Sequence, residues 1–340
     1  MRKIRVVHYG IEHAHSSVTM ECARKYTEIF DIVGVVEPDE AVWLKHSGAA
    51  AYQGVPRITE EQLFSRCDVD AVLVESDELR SVADAAKCIN HGLHVHLDKP
   101  AGLSAQHFES VLRDAKRQGL TVQLGYMYRF NPAVRYCIQA VKDGKLGDIT
   151  SIDGSMGCTY GKNLRQWLER FPGGMMFFLG CHFVDLVYAI WGVPEHIIPY
   201  SKCSGVDVKN AADNAFVVFE YPNGTAAIRV NSVEINGYNR RNLTVCGTKG
   251  TIEIRPMECP TRMYETISDG SPNWTWKDRK IDIDPGFIPG RYDAMMLDFA
   301  ACVRGEKENE YSYEYEAQLH RLVLSACGVD IDYKERGKRL

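Results

Sequence analysis

Short β-branched runs alternate with amphipathic stretches over the first third of the chain, and this rhythm predicts its architecture. The apolar run Ile4–Tyr9 reads as a strand, 17–26 as a helix, 32–37 as a strand, and 71–75 as a buried strand following Asp68-Val69-Asp70. Residues 79–90 read as a helix stopped by His91-Gly92, and 93–97 as a strand. Residues 104–118 read as a helix with Ser104 as its N-cap and Gly119 just past its end, and 121–124 as a further strand. Strands that alternate with helices need crossover connections and therefore run parallel, so this part is expected to be a doubly wound α/β sheet.

After Gly125 the pattern changes. Residues 132–143 and Cys181–Trp191 read as helices. They are followed by "NAFVVFEYPNGTAAIRVNSV", with a turn at Asn223-Gly224, and "NLTVCGTKGTIEIRP", with a second glycine-containing turn. Residues 292–303 and 315–327 read as helices, and the tyrosines of "YSYEYEAQLH" as lining a strand that enters the last one. At 340 residues the chain exceeds what one core usually sustains. The division expected is an α/β domain over residues 1–124 and an α+β domain on an antiparallel sheet over residues 125–340.

Composition narrows the partners. A net charge of -5 provides no broad basic field for nucleic acid or an anionic membrane, so the expected partner is a small molecule. No stretch reaches the roughly 20 apolar residues of a membrane span. The apolar part of "MRKIRVVHYG" is too short for a secretion signal. Eleven cysteines are scattered with no Cys-x-x-Cys, an odd count that reads as reduced thiols in a cytoplasmic protein. The pairs His13/His15 and His94/His96 raise a metal reading, since residues two apart on a strand share a face. Spacing supplies no third ligand, and no metal is expected.

In a doubly wound sheet the informative residues lie just after each strand. The first strand leads into Tyr9, Gly10, Ile11, Glu12 and His13, opening a helix whose free N–H groups suit a pyrophosphate. Only the first of three fingerprint glycines is present; Glu12 and His15 occupy the other places. Glu12 brings a carboxylate where phosphates approach, so dinucleotide binding is expected to be weaker than in a three-glycine loop. Glu37 stands about 27 residues past Gly10, near where an acid takes the adenosine ribose hydroxyls. Its charge repels a 2′-phosphate, which favours NAD over NADP. The run 71–75 leads into "ESDELR", with Ser76, and 93–97 into "LDKPAG", with Asp98, Lys99 and Pro100. Pro100 holds Lys99 extended at the strand's mouth.

Taken in order, these motifs resemble the GFO/IDH/MocA oxidoreductases, the glucose–fructose oxidoreductase and inositol dehydrogenase relatives, over essentially the whole chain. The residues carrying the likeness are Glu37, Asp98-Lys99-Pro100 in place of the family's Glu-Lys-Pro, and "GYMYRFNP" at 125–132. Further along come "DGKLGDI" at 143–149, "GGMMFFLGCHFVD" at 173–185 and "VCGTKGTIEI" at 245–254. The resemblance implies an N-terminal Rossmann domain and a C-terminal α+β domain with a large, mostly antiparallel sheet. That sheet would form a homodimer or homotetramer interface. A nicotinamide cofactor and a sugar, sugar acid or cyclitol substrate are also implied. Carried over by position, Lys99 is the catalytic lysine and His182 the substrate-side histidine, with Phe178 and Asp185 beside them. Three places depart from the family. Phe178 replaces an aspartate four residues before the histidine, Met127 an asparagine, and "ESDELR" a Thr-Pro-x-x-x-His run.

Oxidising a secondary alcohol sends a hydride to the nicotinamide and a proton to a base whose pKa should lie near ambient pH. Free lysine, at about 10.4, is too basic, so burial or nearby positive charge must destabilise its charged form. His182 can hydrogen-bond the reacting oxygen or relay its proton. Two alternatives stay open: a retained NAD that assists elimination or glycoside cleavage by transient oxidation, and a catalytically silent member that senses ligand and NAD.

Overall fold

The computed structural model describes residues 2–258, 261–271, 275–282 and 290–334, which leaves Cys259 outside the described residues. The chain forms two compact units. The described part of the first runs to Tyr126 and then takes in Tyr292–His320; the second holds Met127–Arg291 and 321–334. The break after Tyr126 lies close to the expected boundary, but Tyr292–His320 joins the first unit, unlike the division expected from the sequence.

The first unit is built from β1 (Ile4–Tyr9), α1 (Ser16–Lys25), β2 (Phe30–Val36), α2 (Glu40–His46), β3 (Arg57–Ile58) and α3 (Glu60–Phe64). It continues with β4 (Ala71–Val74), α4 (Ser81–Asn90), β5 (His94–Leu97), α5 (Ala105–Gln118) and β6 (Val122–Leu124). Its six strands are all parallel, in the order β3-β2-β1-β4-β5-β6. Every residue of β4 is buried, as befits a strand covered on both faces. Local chemistry fixes the helix ends. Asp39 accepts from Ala41 and Val42 at the start of α2, Thr59 and Gln62 form a reciprocal capping box on α3, and Ser104 caps α5. Gly119 closes α5 in the left-handed region. Strand order reverses between β1 and β4, which opens a crevice at their carboxyl ends.

In the second unit come α6 (Pro132–Lys142), β7 (Ile149–Gly157), α7 (Lys162–Trp167) and α8 (Cys181–Trp191), then β8 (His196–Lys202), β9 (Asn214–Tyr221) and β10 (Gly224–Asn231). β11 (Asn242–Gly247), β12 (Gly250–Ile254), β13 (Arg262–Ser268) and β14 (Trp276–Asp282) complete an eight-stranded sheet ordered β14-β13-β12-β11-β7-β10-β9-β8. It is antiparallel except for the β7–β10 pair. The hairpin turn falls at Pro222-Asn223, one residue earlier than expected, because Gly224 already pairs with Tyr221.

The chain then forms α9 (Asp293–Val303) and α10 (Tyr313–Ala326). Helix α9 packs on the first sheet: Gln123 donates to the Met295 carbonyl at 3.2 Å, and Phe299 sits edge-on to His96. This docking draws Tyr292–His320 into the first unit. Tyr313 is the first residue of α10, so the tyrosine-rich stretch starts the helix instead of lining a strand.

The strand histidines of β5 are taken up by packing. His94 Nδ1 accepts the Thr121 N–H at 2.9 Å, and His96 Nδ1 lies 2.9 Å from Gln123 Oε1. On β1, His8 is 1% exposed, lies edge-on to Tyr52 and contacts the Ser16 carbonyl through Nε2 at 3.1 Å. Burial outweighs its backbone hydrogen bonds and lowers its pKa to about 4, with His96 adding to the effect. Between pH 6.5 and 4 the unfolded chain therefore binds a proton that the folded chain does not, and stability falls as pH falls. A change of about 2.5 units corresponds to roughly 3 kcal/mol. Urea midpoints recorded from pH 7 to pH 4.5 should decline less steeply in His8→Gln than in the wild type, and equal slopes would refute this.

Candidate functional site

In the first unit the candidate residues gather at the carboxyl ends of β1, β2, β4 and β5. Gly10 has φ +80°, and a Cβ there would stand 2.5 Å from the Ser76 backbone, so only glycine lets the two loops meet. The Ile11 N–H donates to Glu37 Oε2 at 3.1 Å and the Asp39 N–H to Glu37 Oε1 at 3.0 Å. Glu37 is thus buried and oriented by backbone donors, and a carboxylate keeps further lone pairs for other hydroxyls. Arg80 Nη2 lies 3.6 Å from Glu37 Oε1 and 3.9 Å from Glu12 Oε2. It is Arg80, from the loop before α4, that faces Glu12.

Tyr9 is placed differently from the rest. Its hydroxyl donates to Glu60 and receives Lys87 at 3.3 Å, so its side chain serves the packing of α3 and α4. Only its main chain belongs to the loop.

His13 turns inward. Its Nδ1 lies 3.3 Å from Asp98 Oδ2 and 3.4 Å from Glu75 Oε2, and its Nε2 lies 3.1 Å from Glu78 Oε1. His15 Nδ1 reaches the same Asp98 Oδ2 at 2.9 Å. Burial pushes the Asp98 carboxyl up, but the two imidazoles prevail and hold it well below the usual range. Burial likewise opposes charge on His13, yet Asp98 and Glu78 raise its pKa well above 6.5. Burial lowers His15 to about 4 and, together with the Asp98 charge, raises Glu75 to about 7.

Lys99 follows Asp98 and is 1% exposed, with its backbone N–H on Asp98 Oδ1 at 2.6 Å. Its charge bears on His15. Gly125 makes room here, since a Cβ on it would stand 2.8 Å from Asp98 Oδ1.

In the second unit His182 lies in the first turn of α8, buried, with the Tyr128 ring edge-on at 5.0 Å. Phe178 belongs to a π-helical turn over Met176–Gly180 that leads into α8, and it packs against Trp167 and Tyr160. Such turns are frequent at functional sites. Asp185 lies on the same helix and is also buried. Arg129 clasps its carboxylate with Nε at 2.9 Å from Oδ2 and Nη2 at 2.9 Å from Oδ1.

One buried group here escaped the sequence reading. Glu258 accepts from Tyr128 and from Tyr238 at 2.7 Å, and pairs with Arg241 at 2.9 Å and Arg291 at 3.3 Å. Nothing in "RPMECP" marks it, because its partners come from distant segments. Lys99 belongs to the first unit, and His182, Phe178 and Asp185 to the second.

The first unit fits a dinucleotide in three respects. Helix α1 begins with no side-chain cap and no acid in its first turn, Gly10 allows close loop packing, and Glu37 is held at the end of β2. Glu12 is the departure, and Arg80 moderates it.

Comparison with known proteins agrees. Residues 6–126 match the family described as "Oxidoreductase family, NAD-binding Rossmann fold", and residues 134–253 match the GFO/IDH/MocA C-terminal domain. A trans-1,2-dihydrobenzene-1,2-diol dehydrogenase from Bos taurus is 25% identical over 210 residues, 60% of this chain and 60% of its own length. A 2,7-anhydro-N-acetylneuraminate hydratase from Mediterraneibacter gnavus is 24% identical over 214 residues, 58% of this chain and 54% of its own length. The match thus spans little more than half of these curated relatives. Among solved structures, levoglucosan dehydrogenase in complex with NADH and L-sorbose superposes with a TM-score of 0.79 at 13% identity, covering 96% of this chain and 97% of that one. The WlbA dehydrogenase from Bordetella pertussis, in complex with NADH and UDP-GlcNAcA, gives 0.77 at 15% identity with the same coverage. Both share the fold of this chain.

Proposed function

The chain belongs to the GFO/IDH/MocA oxidoreductase family, and from that premise we propose that it is an NAD-dependent oxidoreductase acting on a secondary alcohol of a sugar, sugar acid or cyclitol. The observation that carries this reading is Lys99, fully buried at the end of β5 and tied by its backbone to the Asp98 that the loop histidines contact.

The main chain of Tyr9, Gly10, Ile11, Glu12 and His13, the start of α1, Ser76, Glu37 and the Asp98-Lys99-Pro100 turn would hold the cofactor. NAD, when bound, supplies the hydride acceptor. Glu37 takes the ribose hydroxyls and repels a 2′-phosphate, which supports NAD over NADP. The chain's own task is the proton: Lys99 accepts it from the substrate hydroxyl, and burial keeps competing water away. His182 hydrogen-bonds the reacting oxygen, with the Tyr128 ring holding its imidazole. Phe178 stands where relatives carry an aspartate, so the proton path runs without a carboxylate there, and Phe178 contributes an apolar wall on the substrate side. Asp185 acts through Arg129 and not on the substrate.

The dehydrogenases among the relatives support this reading. A second reading, in which bound NAD assists elimination or glycoside cleavage, draws on the hydratase relative, which is nearly as similar. The ten described cysteines, all free, suit cytoplasm. The alternately buried and half-buried residues of β9 suit a homodimer or homotetramer through the second sheet.

The test is a panel of sugars, sugar acids and cyclitols with NAD. At least one member should produce NADH absorbance. No NADH from any member, even in a single turnover with enzyme in excess, would overturn the dehydrogenase reading. An eliminated or hydrated product without net NADH would establish the second reading in its place.

A further inference from the structure

A ring of buried side chains lies beneath the loop after β1, and the proposed reaction gives the imidazoles in it no task. Two imidazoles and a carboxylate that sequence spacing did not connect converge there: His13 and His15 from the loop, Asp98 from the end of β5. They can direct one ligand atom each to a common point, with those atoms within 4.8 Å of one another. The separations are 3.3 Å for His13 Nδ1 to Asp98 Oδ2 and 2.9 Å for His15 Nδ1 to the same oxygen. Glu75 Oε2 stands 3.4 Å from His13 Nδ1. Four ligands placed tetrahedrally at zinc's usual bond lengths of about 2.0–2.2 Å lie roughly 3.3–3.6 Å apart.

Hydrogen bonding satisfies Asp98, through His15 Nδ1 at 2.9 Å and the Lys99 N–H at 2.6 Å, but not Glu75. The His15 N–H lies 3.2 Å from His13 Nδ1, a long contact, and the same nitrogen stands 3.3 Å from Asp98 Oδ2 and 3.4 Å from Glu75 Oε2. Both His13 and His15 bring Nδ1 to one carboxylate oxygen. Glu75 is fully buried, and neither of its oxygens has a hydrogen-bond partner. A buried carboxylate without a hydrogen bond is costly. A divalent cation at the common point would offset the charges of Asp98 and Glu75 and would take the two Nδ1 atoms as neutral imidazole ligands in place of their hydrogen bonds.

The geometry points to a divalent-cation site, of zinc type, formed by His13, His15 and Asp98, with Glu75 as a neighbouring carboxylate 3.4 Å from His13. Mixed imidazole and carboxylate donors suit Zn²⁺ or Co²⁺ better than Mg²⁺ or Ca²⁺, which take oxygen. Glu78, beside His13 Nε2 at 3.1 Å, supplies the outer carboxylate that ligating histidines usually have. The site lies wholly within the first unit and does not depend on the proposed reaction.

Protein stripped with chelator and titrated calorimetrically with Zn²⁺ should bind a single equivalent per chain. Co²⁺ in its place should give the intense visible bands of a four-coordinate site. His15→Gln and Asp98→Asn should each weaken binding by about tenfold or more, whereas His94→Gln, in the other histidine pair, should leave it unchanged. Zn²⁺ should raise the melting temperature of the wild type but not that of His15→Gln. The wild-type Co²⁺ spectrum needs no variant to fold. A wild type that binds no stoichiometric metal, a six-coordinate Co²⁺ spectrum, or affinity indifferent to His15 and Asp98 would each overturn the site.

Discussion

Lys99→Ala should lower kcat by about 10²–10⁴-fold, the usual contribution of a positioned acid or base. The expectation rests on place more than on residue type. Lys99 stands two residues past Leu97, the last residue of β5, is fully buried, and its backbone is held on Asp98. The carboxyl edge of a parallel sheet is where ligands of such folds bind. Truncation also leaves a cavity, so a fall in activity alone would not separate chemistry from packing. Lys99→Met keeps the volume and removes the amine. It should lose as much activity as Lys99→Ala while retaining NAD affinity by calorimetry and most of the urea stability. Activity of Lys99→Met within about threefold of wild type would take the base role from Lys99.

The parts legible in the sequence and the parts that were not differ in their physics. The first sheet was readable because its signals are local: Ser104 and Gly119 bracket α5, and β4 is a short, wholly apolar run. Gly10, Glu37 and Lys99 were found for the same reason, since a residue just after a strand lies at the ligand edge whatever the tertiary details. The central strand of the second sheet, β7, was missed. Its sequence "ITSIDGSMG" is rich in residues that disfavour strands, and its neighbours β10 and β11 impose the conformation. Gly154 there has a positional reason, for a Cβ would stand 2.6 Å from the Phe183 ring of α8. The contact of His15 with Asp98 joins residues 83 positions apart, and that of Tyr128 with Glu258 joins residues 130 apart. Separations of that size carry no periodic signal in a single sequence. Asp185 was drawn to the substrate by its i+3 relation to His182, but that spacing only sets a helix face and cannot reveal the arginine waiting on it.

That arginine makes the role of Asp185 measurable. Arg129 and Asp185 are 2% and 1% exposed and share a bidentate contact. Removing one member of such a buried pair leaves the other charge in low dielectric, at a cost of about 3–5 kcal/mol. Asp185→Ala should therefore lower urea stability by about that amount, and Asp185→Asn, which keeps the shape and one acceptor oxygen, should lose less. Replacing both partners with apolar residues, Arg129→Met with Asp185→Leu, should recover most of the loss, because neither charge is then stranded. A substrate ligand would behave in the opposite way, with stability within about 0.5 kcal/mol of wild type and a raised KM. Should Asp185→Ala show that second pattern, the carboxylate belongs to the substrate and the Arg129 contact only orients it. Should it show the first, Phe178 and His182 rest on an ion pair that fixes the start of α8, and the substrate side carries no free carboxylate at either the Phe178 or the Asp185 position.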